Sequence, residues 1–360
     1  MNRKEFLRTV TAGAAGTLAG GTSARAAQGS VPTKAVVKVT GDALKGSTRA
    51  VVDFITSARL DRFPSDAVVQ AKRCLIDGFA VMLAGSTVHG SAIVRKYVRA
   101  VGDKGGASIL GPERMTASSP RAALANGASG HAMDFDDTQL STTPDRTYGL
   151  LTHPTVPALA STLAVAEEQR ASGAAFLEAF LTGFEVECKI AEAIDPEHYV
   201  RGFHSTATAG TFAGAASAAR LLKLDAARTA HAIGIAASCA SGLRVNFGSM
   251  TKPLHAGRAA ENGIFAAMLA ADGFTAGEDG LDGMTAIREL AAHMQGQVDL
   301  GGGDLAGSGQ GAAFAGLRPD CSFALTRAAT SSSAMASAAF QAKRASKRRP
   351  DLYSASPRCS

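Results

Sequence analysis

The chain has 360 residues, which is enough for one large domain or two ordinary ones with a substantial core. Hydrophobic residues make up 46% and charged residues 19%, proportions that are typical of globular proteins. The net charge is +6, but residues 318–360 contain eight basic and two acidic residues and account for all of it. Residues 1–317 are therefore neutral overall, and we expect no nucleic-acid partner for the main body of the protein.

Residues 1–30 have the layout of an export signal. A basic start with Arg3, Lys4 and Arg8 precedes a weakly apolar stretch and an Ala-Arg-Ala cleavage site. The order Arg-Lys-Glu-Phe-Leu resembles the twin-arginine consensus, with Lys4 in place of the second arginine. No stretch here reaches the roughly eighteen apolar residues that a membrane span needs. We therefore expect an exported or periplasmic protein without a membrane span, with a disordered N-terminus on a cytoplasmic protein as the alternative.

A Gly/Lys/Thr-rich linker at residues 31–47 leads into a region with the apolar periodicity of successive helices. Alternating strand patterns are nearly absent from residues 48–275, so this region is predicted to form one large all-helical domain. A helix start is predicted at Ser119-Pro120, where proline suits the first turn. The other predicted helices cover residues 65–84, 152–169, 174–194, 206–222, 225–241 and 253–271.

Two of these helices have features that bear on packing. In the helix over residues 174–194, one face is apolar, and Glu178, Glu185 and Glu192 point in other directions. Residues 209–216 are rich in Ala and Gly but contain neither GxGxxG nor GxxxxGK[ST]. The small residues therefore favour close helix packing over a phosphate-binding loop.

Three clusters contain residue types that can transfer protons or bind anions. The first, Asn-Gly-Ala-Ser-Gly-His-Ala-Met-Asp-Phe-Asp-Asp-Thr, ends at Thr138, and His153 follows it. If the helix from Pro120 continues, His131, Asp134 and Thr138 share one face. Three acids within four residues also admit a metal site, and a solvated acidic helix end is the simpler alternative. The flanking Met and Phe indicate partial burial and perturbed pKa values for the acids.

The second cluster, Arg-Gly-Phe-His-Ser-Thr, places His204 just before a helix, where it can act as an acid, a base or an anion binder. A capping or packing histidine is the alternative. The third cluster, Ser-Gly-Leu-Arg-Val-Asn-Phe-Gly-Ser-Met-Thr-Lys-Pro-Leu-His-Ala-Gly-Arg, includes Arg244, Lys252 and His255. Pro253 can open a helix beside Lys252, an arrangement that suits a substrate with several carboxylates. An ordinary basic surface loop is the alternative here.

Taken in order, the three clusters resemble the signature of the MmgE/PrpD family of 2-methylcitrate dehydratases and cis-aconitate decarboxylases. The resemblance runs from about Val51 to Asp282, about two-thirds of the chain. It implies a large all-helical domain, a smaller α+β lid domain and a homodimer that acts on a small polycarboxylate. It implies neither a metal nor an organic cofactor.

The resemblance also assigns site residues by their positions in the motifs. Lys252 would hold a substrate carboxylate, and His153 and His204 would transfer protons or bind carboxylate. The further substrate-binding residues that it implies are Asp134, Thr138, His131, Arg244 and His255. The leading hypothesis is a cofactor-independent lyase of the 2-methylcitrate dehydratase type, which removes a proton next to a carboxylate and expels water. Cis-aconitate decarboxylase-like and epimerase-like activities, and a metal-dependent hydrolase built on the acids, are the alternatives.

The C-terminal part departs from the family pattern. Residues 276–299 would begin the lid domain, but six glycines then fall within residues 301–311, and His293 is the last histidine. We interpret residues 300–360 as a low-complexity basic tail, a truncated or frame-shifted remnant of the lid domain, with a natural disordered tail as the alternative. The predicted fold is therefore mainly α. A catalytically dead fragment that lacks the lid is a further hypothesis for function.

Overall fold

A computed structural model describes residues 46–140, 150–195, 197–277 and 279–282. Within these ranges the protein is mainly α, which confirms the predicted fold class. The helices are α1 (Ser47–Ser57), α2 (Ser65–Gly85), α3 (His89–Val101), α4 (Ser119–Gly130), α5 (Thr155–Glu168), α6 (Gly173–Ile194), α7 (Glu197–Val200), α8 (Ser205–Leu221), α9 (Ala226–Cys239) and α10 (Thr251–Ala271). Short 3₁₀ turns cover Leu60–Arg62 and Arg244–Asn246.

Two small antiparallel sheets interrupt the helices. Strand β1 (Ala107–Ile109) pairs with β2 (Met115–Ala117), and β3 (Gln139–Leu140) pairs with β4 (Leu150–Thr152). Strands of two or three residues are too short to produce a visible apolar alternation, so the sequence pattern did not predict them. The second sheet matters for function because β4 ends immediately before His153.

Several predicted segments lie outside the described residues. They are the export signal at 1–30, nearly all of the linker at 31–47, most of the expected lid start at 276–299, and the tail at 300–360. Among the helices in the described ranges, none combines the length and the apolar character needed to cross a bilayer.

Asp282 joins the two ends of the described region. Its carboxylate accepts hydrogen bonds from the backbone N–H groups of Ser47 and Thr48, at 3.1 and 3.3 Å, and from the Thr48 hydroxyl at 2.8 Å. The N-terminus of α1 has no capping side chain of its own, because Gly46 precedes it. A carboxylate far along the chain therefore supplies the negative charge that a helix start favours.

The centre of the fold is a close contact of α10 with α4 on one side and α8 on the other. Gly257 of α10 faces Gly127 of α4, where an added Cβ atom would lie 2.7 Å from the Gly257 Cα atom. Gly263 of α10 faces α8 as closely. A Cβ atom added to Gly263 would lie 2.5 Å from both the Thr211 carbonyl oxygen and the Ala215 backbone nitrogen. The small residues predicted to serve close helix packing do so.

The glutamates of α6 are more buried than their pattern suggested. Glu185 is 1% exposed and Glu192 is 8% exposed, because α6 is covered by α2, α5, α8 and β4 on different sides. Glu178 is half-buried and pairs with Arg220. Because other elements surround α6, a side chain that lies off its main apolar face can still be buried.

We predict that Gly257→Ala lowers the free energy of unfolding by about 1–3 kcal/mol. The new methyl group would overlap the Leu124 carbonyl oxygen and lie 2.8 Å from the Ala128 nitrogen, so α4 and α10 would have to separate. Urea denaturation measures the change. Gly173→Ala is the control, because nothing lies within 4 Å of its added Cβ atom. Equal stability of the two variants would contradict the close-packing account.

We predict that Glu185→Gln weakens the dependence of stability on pH. Burial raises the pKa of Glu185 from 4.5 to about 7, and Lys189 only partly opposes this. The folded protein therefore binds more protons than the unfolded chain between these values, so its unfolding free energy falls as pH rises from about 4.5 to 7. Removing this group should cut that fall by up to about 3 kcal/mol. Denaturation curves at pH 5 and pH 8 test it, and an unchanged pH slope would contradict it.

Candidate active site

The ends of several elements bring four histidines together in the interior. His131 caps the C-terminus of α4, His153 follows β4, His204 precedes α8, and His255 lies in α10. The His131 ring centroid lies 4.7 Å from that of His153 and 5.6 Å from that of His204, and the His204 and His255 centroids are 5.3 Å apart. All four are at most 9% exposed. We call these four side chains the imidazole cluster.

The segment after α4 does not continue as a helix. The helix ends at Gly130, and Asp134 has a φ of 57°, a left-handed conformation that a right-handed helix cannot contain. The prediction that His131, Asp134 and Thr138 share one helical face is therefore wrong. The turn instead brings Asp136 back against His131.

The acids of this segment divide into one exposed and two buried groups. Asp134 is exposed, whereas Asp136 is 1% exposed and Asp137 is 7% exposed. The predicted burial of the acids and their perturbed pKa values are therefore confirmed for Asp136 and Asp137, although the neighbouring Met133 and Phe135 are themselves exposed. Burial raises the pKa of Asp137 to about 7, although it accepts hydrogen bonds from the backbone N–H and hydroxyl of Thr155.

Asp136 holds two members of the imidazole cluster. Its carboxylate oxygens lie 2.8 and 3.0 Å from His131 Nδ1, and one of them lies 3.6 Å from His153 Nδ1. Burial acts to raise the pKa of Asp136, but the nearby His131 and His153 outweigh it, and the pKa is lowered. An ionised Asp136 therefore fixes Nδ1 of His131 as a hydrogen-bond donor, and leaves Nε2 without a partner among the described residues.

His204 and His255 form the other half of the cluster. Their Nδ1 atoms are 3.1 Å apart, so one ring must donate a proton to the other. Burial, followed by the charges of His131 and His255, lowers the pKa of His204 to about 2, and burial lowers the pKa of His153 despite the opposing Asp136. At neutral pH His153 and His204 are therefore uncharged.

Lys252 adds a cation beside the imidazoles. Its ammonium group contacts the Asp134 carboxylate and lies 5.2 Å from the centroid of the Phe247 ring, which in turn packs against His204. Lys252 lies in the first turn of α10, close to the helix start that Pro253 predicted. The same Asp134 oxygen lies 3.8 Å from His153 Nε2, so Asp134 connects the lysine to the imidazole cluster.

Two predicted site residues lie apart from this cluster. The Arg244 guanidinium packs 3.7 Å over the ring centroid of Tyr199 and donates a hydrogen bond to the Tyr199 carbonyl at 2.5 Å. Thr138 is half-buried, and within the described ranges it makes no hydrogen bond or ion pair with the cluster. Their roles in substrate binding remain predictions.

The structure adds supporting residues that the sequence analysis did not assign. The Thr206 hydroxyl accepts a hydrogen bond from the His153 backbone N–H at 3.1 Å. The Thr152 hydroxyl lies 3.5 Å from it and donates to the buried Glu187 at 2.6 Å. Glu187 stands between Val186 and Cys188 in an apolar run, and an acid in such a position was the available sequence signal.

Four side chains of the site have the spacing of metal ligands. Ligand atoms of His131, Asp134, Asp136 and His153 all lie within 4.8 Å of one another, which is close enough to share a divalent cation. However, the Lys252 ammonium contacts Asp134 and would repel such an ion. The contacts therefore favour a site for anions, and metal content is tested below.

The site lies within the region that a known family model matches. The model for the MmgE/PrpD N-terminal domain matches residues 49–295, which is more than half of the chain. The chain therefore belongs to the MmgE/PrpD family, as the three sequence clusters indicated.

Curated relatives of this chain carry related names. It is 29% identical over 244 residues to the cis-aconitate decarboxylase of Homo sapiens, covering 66% of this chain and 49% of the relative. It is 33% identical over 236 residues to the cis-aconitate decarboxylase-like protein oryM of Aspergillus oryzae, covering 63% and 47%. It is 30% identical over 242 residues to the cis-aconitate decarboxylase of Aspergillus terreus, covering 65% and 48%. The chain thus spans about half the length of these relatives.

Proposed function

We propose that this protein is a lyase that acts on a small polycarboxylate without a metal or an organic cofactor. The observation that carries the proposal is the buried imidazole cluster with the Lys252 ammonium group beside it, joined by Asp134. Family membership supports the class of reaction, and the names of the relatives favour decarboxylation of cis-aconitate. Dehydration of 2-methylcitrate, the leading hypothesis from the sequence, is the second candidate because it belongs to the same family.

Decarboxylation of cis-aconitate has requirements that match these groups. Breaking the bond between the CH₂ carbon and its carboxylate releases CO₂, and the electron pair shifts the double bond by one position. The far carbon of the original double bond then takes up a proton, which gives methylenesuccinate. A proton donor and a cation that holds the remaining carboxylates are therefore needed. We assign the donor role to His153 or His204 and the anchoring role to Lys252.

The low pKa values of the imidazoles are compatible with a donor role once substrate is bound. The free site holds His153 and His204 uncharged, chiefly because of burial. A bound polyanion would favour the protonated rings, because opposite charges at short range raise the pKa of a histidine. Substrate binding would thereby protonate a histidine, which then supplies the proton that the reaction consumes.

We predict that Lys252→Ala and His204→Ala each reduce kcat/KM for the preferred substrate at least about 100-fold, since each removes a group that contacts the reacting anion. The purified chain is supplied separately with cis-aconitate, citrate and 2-methylcitrate, and the products are followed by proton NMR. Lys72→Ala, which removes an exposed lysine of α2, is the control. Unchanged rates in either site variant would show that the site is misplaced.

The same assay distinguishes the alternatives. Turnover of 2-methylcitrate but not of cis-aconitate would identify a dehydratase. Inversion of a stereocentre of 2-methylcitrate, without loss of water or CO₂, would identify an epimerase. Binding without turnover would favour a catalytically dead fragment. Stoichiometric Zn²⁺ or Mg²⁺ in the purified protein would contradict the cofactor-free proposal and favour a metal-dependent hydrolase.

We further propose that the protein forms a homodimer through α2. Three of its apolar residues, Val69, Ile76 and Leu83, are 50%, 72% and 52% exposed. Because they are seven residues apart, they line one face of the helix over four turns. A row of exposed apolar side chains favours burial against a partner, and a second copy can present the same row across a twofold axis.

We predict that Ile76→Glu converts a dimer to a monomer, because it places a charge in the middle of that apolar row. Light scattering coupled to gel filtration measures the mass. Val200→Glu, which charges an exposed apolar residue of α7, should leave the mass unchanged. A wild-type chain that is already monomeric at micromolar concentration would contradict the proposal.

A further inference from the structure

The site opens into a cavity of about 380 Å³ between α3, α4 and the start of α10. This volume is within the range of small-molecule sites. His131, Asp134 and Lys252 form one part of its wall. A further part comes from the N-terminal turns of α3, a helix to which neither the family motifs nor the sequence analysis assigned any role. The residues of α3 and its cap that line the cavity are Val88, Gly90, Ser91 and Val94.

The charges on the first wall leave a polycarboxylate incompletely neutralised. Lys252 is the cation of this wall, and its ammonium already contacts Asp134. A substrate with two or three carboxylates that bound only there would compete with Asp134 for one ammonium group. A second source of positive potential in the cavity would relieve this competition.

The start of α3 can provide it. Val88 precedes the helix and supplies no side-chain cap, and the first amide to bond back is that of Ala92, which donates to the Val88 carbonyl. The N–H groups of His89, Gly90 and Ser91 have no hydrogen-bond partner within the described part of the chain. Free amides at the start of a helix of 13 residues carry the positive end of its dipole.

On the same face of α3, one buried side chain lacks a hydrogen-bond partner and another lacks an ion pair. Ser91 is 2% exposed and lines the cavity, yet its hydroxyl has no hydrogen-bond partner among the described residues. Arg95, one turn further on, is 5% exposed and makes no ion pair with the residues described, although its Nη1 donates to the Ser86 carbonyl. A buried hydroxyl without a partner is destabilising, and a bound ligand that accepts its hydrogen bond removes this penalty. The Ser91 hydroxyl favours a ligand at this end of the cavity, and the positive charge of Arg95 one turn away favours an anionic one.

We propose that the N-terminus of α3, together with the Ser91 hydroxyl, is a carboxylate-binding subsite for the substrate, in the same cavity as Lys252. The inference rests on the proposed function, since it assigns a second carboxylate of the same polycarboxylate. The carboxylate would accept hydrogen bonds from the free amides and from Ser91, and the charge of Arg95 would strengthen them. Two anchors in one cavity would hold the reacting carbon atoms between them, near the imidazole cluster.

The test uses Ser91→Ala and a probe that is not turned over, propane-1,2,3-tricarboxylate, in the full chain. Loss of one hydrogen bond to a charged group should weaken binding about tenfold in calorimetry. The melting temperature without the probe should stay the same or rise, because the substitution removes an unsatisfied buried hydroxyl. The matched control is Ser161→Ala, a fully buried helical serine whose hydroxyl donates to the Pro157 carbonyl and which does not line the cavity. It should leave probe binding unchanged.

A second probe, glutarate, lacks the central carboxylate of the first. If the subsite takes that carboxylate, Ser91→Ala should weaken binding of the tricarboxylate and leave glutarate binding unchanged; if it takes a terminal one, both should weaken equally. Lys252→Ala should weaken binding of both probes. Loss of binding in Lys252→Ala alone, with Ser91→Ala unaffected for both probes, would overturn the subsite and leave the proposed function intact. No binding of either probe to the wild-type chain would overturn both proposals.

Discussion

The close approach of α10 to α4 and α8 is the constraint on which the candidate site depends. Glycines meet at both contacts, Gly127 against Gly257 and Gly263 against the backbone of α8. Side chains of ordinary size would separate the axes of these helices. Because the C-terminus of α4 and the N-termini of α8 and α10 carry His131, His204 and Lys252, the packing distance also sets the distances between these groups.

The same packing accounts for the electrostatics of the site. Burial away from water disfavours the charged form of a histidine, so it lowers the pKa values of His153 and His204 and keeps both rings uncharged. Asp136 is the exception, because His131 and His153 together outweigh the effect of burial and keep its pKa low. The free site therefore combines one buried carboxylate with uncharged rings, and under the proposed function a bound polyanion would favour their protonation.

The residues of the candidate site lie mainly at the ends of helices and not along helix faces. The imidazole cluster lies at the ends of α4 and α8, next to β4 and in the first turns of α10, and the proposed carboxylate subsite lies at the start of α3. Free amides at such ends are polar groups that a ligand can satisfy without an added side chain. A mainly helical domain can in this way bind a small anion with few cationic residues.

The sequence alone determined the helical class and the approximate bounds of most helices, and it singled out the histidines and the lysine that the structure brings together. Apolar periodicity is local, and motif order is a property of the chain, so neither needs tertiary contacts. Contacts between distant residues decided what the pattern could not predict. Asp134 adopts a left-handed conformation where a continuing helix was expected, Glu185 is buried under neighbouring elements, and Arg244 packs on Tyr199. The unpaired Ser91 hydroxyl has no sequence signature, because burial depends on which helices cover a residue and not on the residue itself.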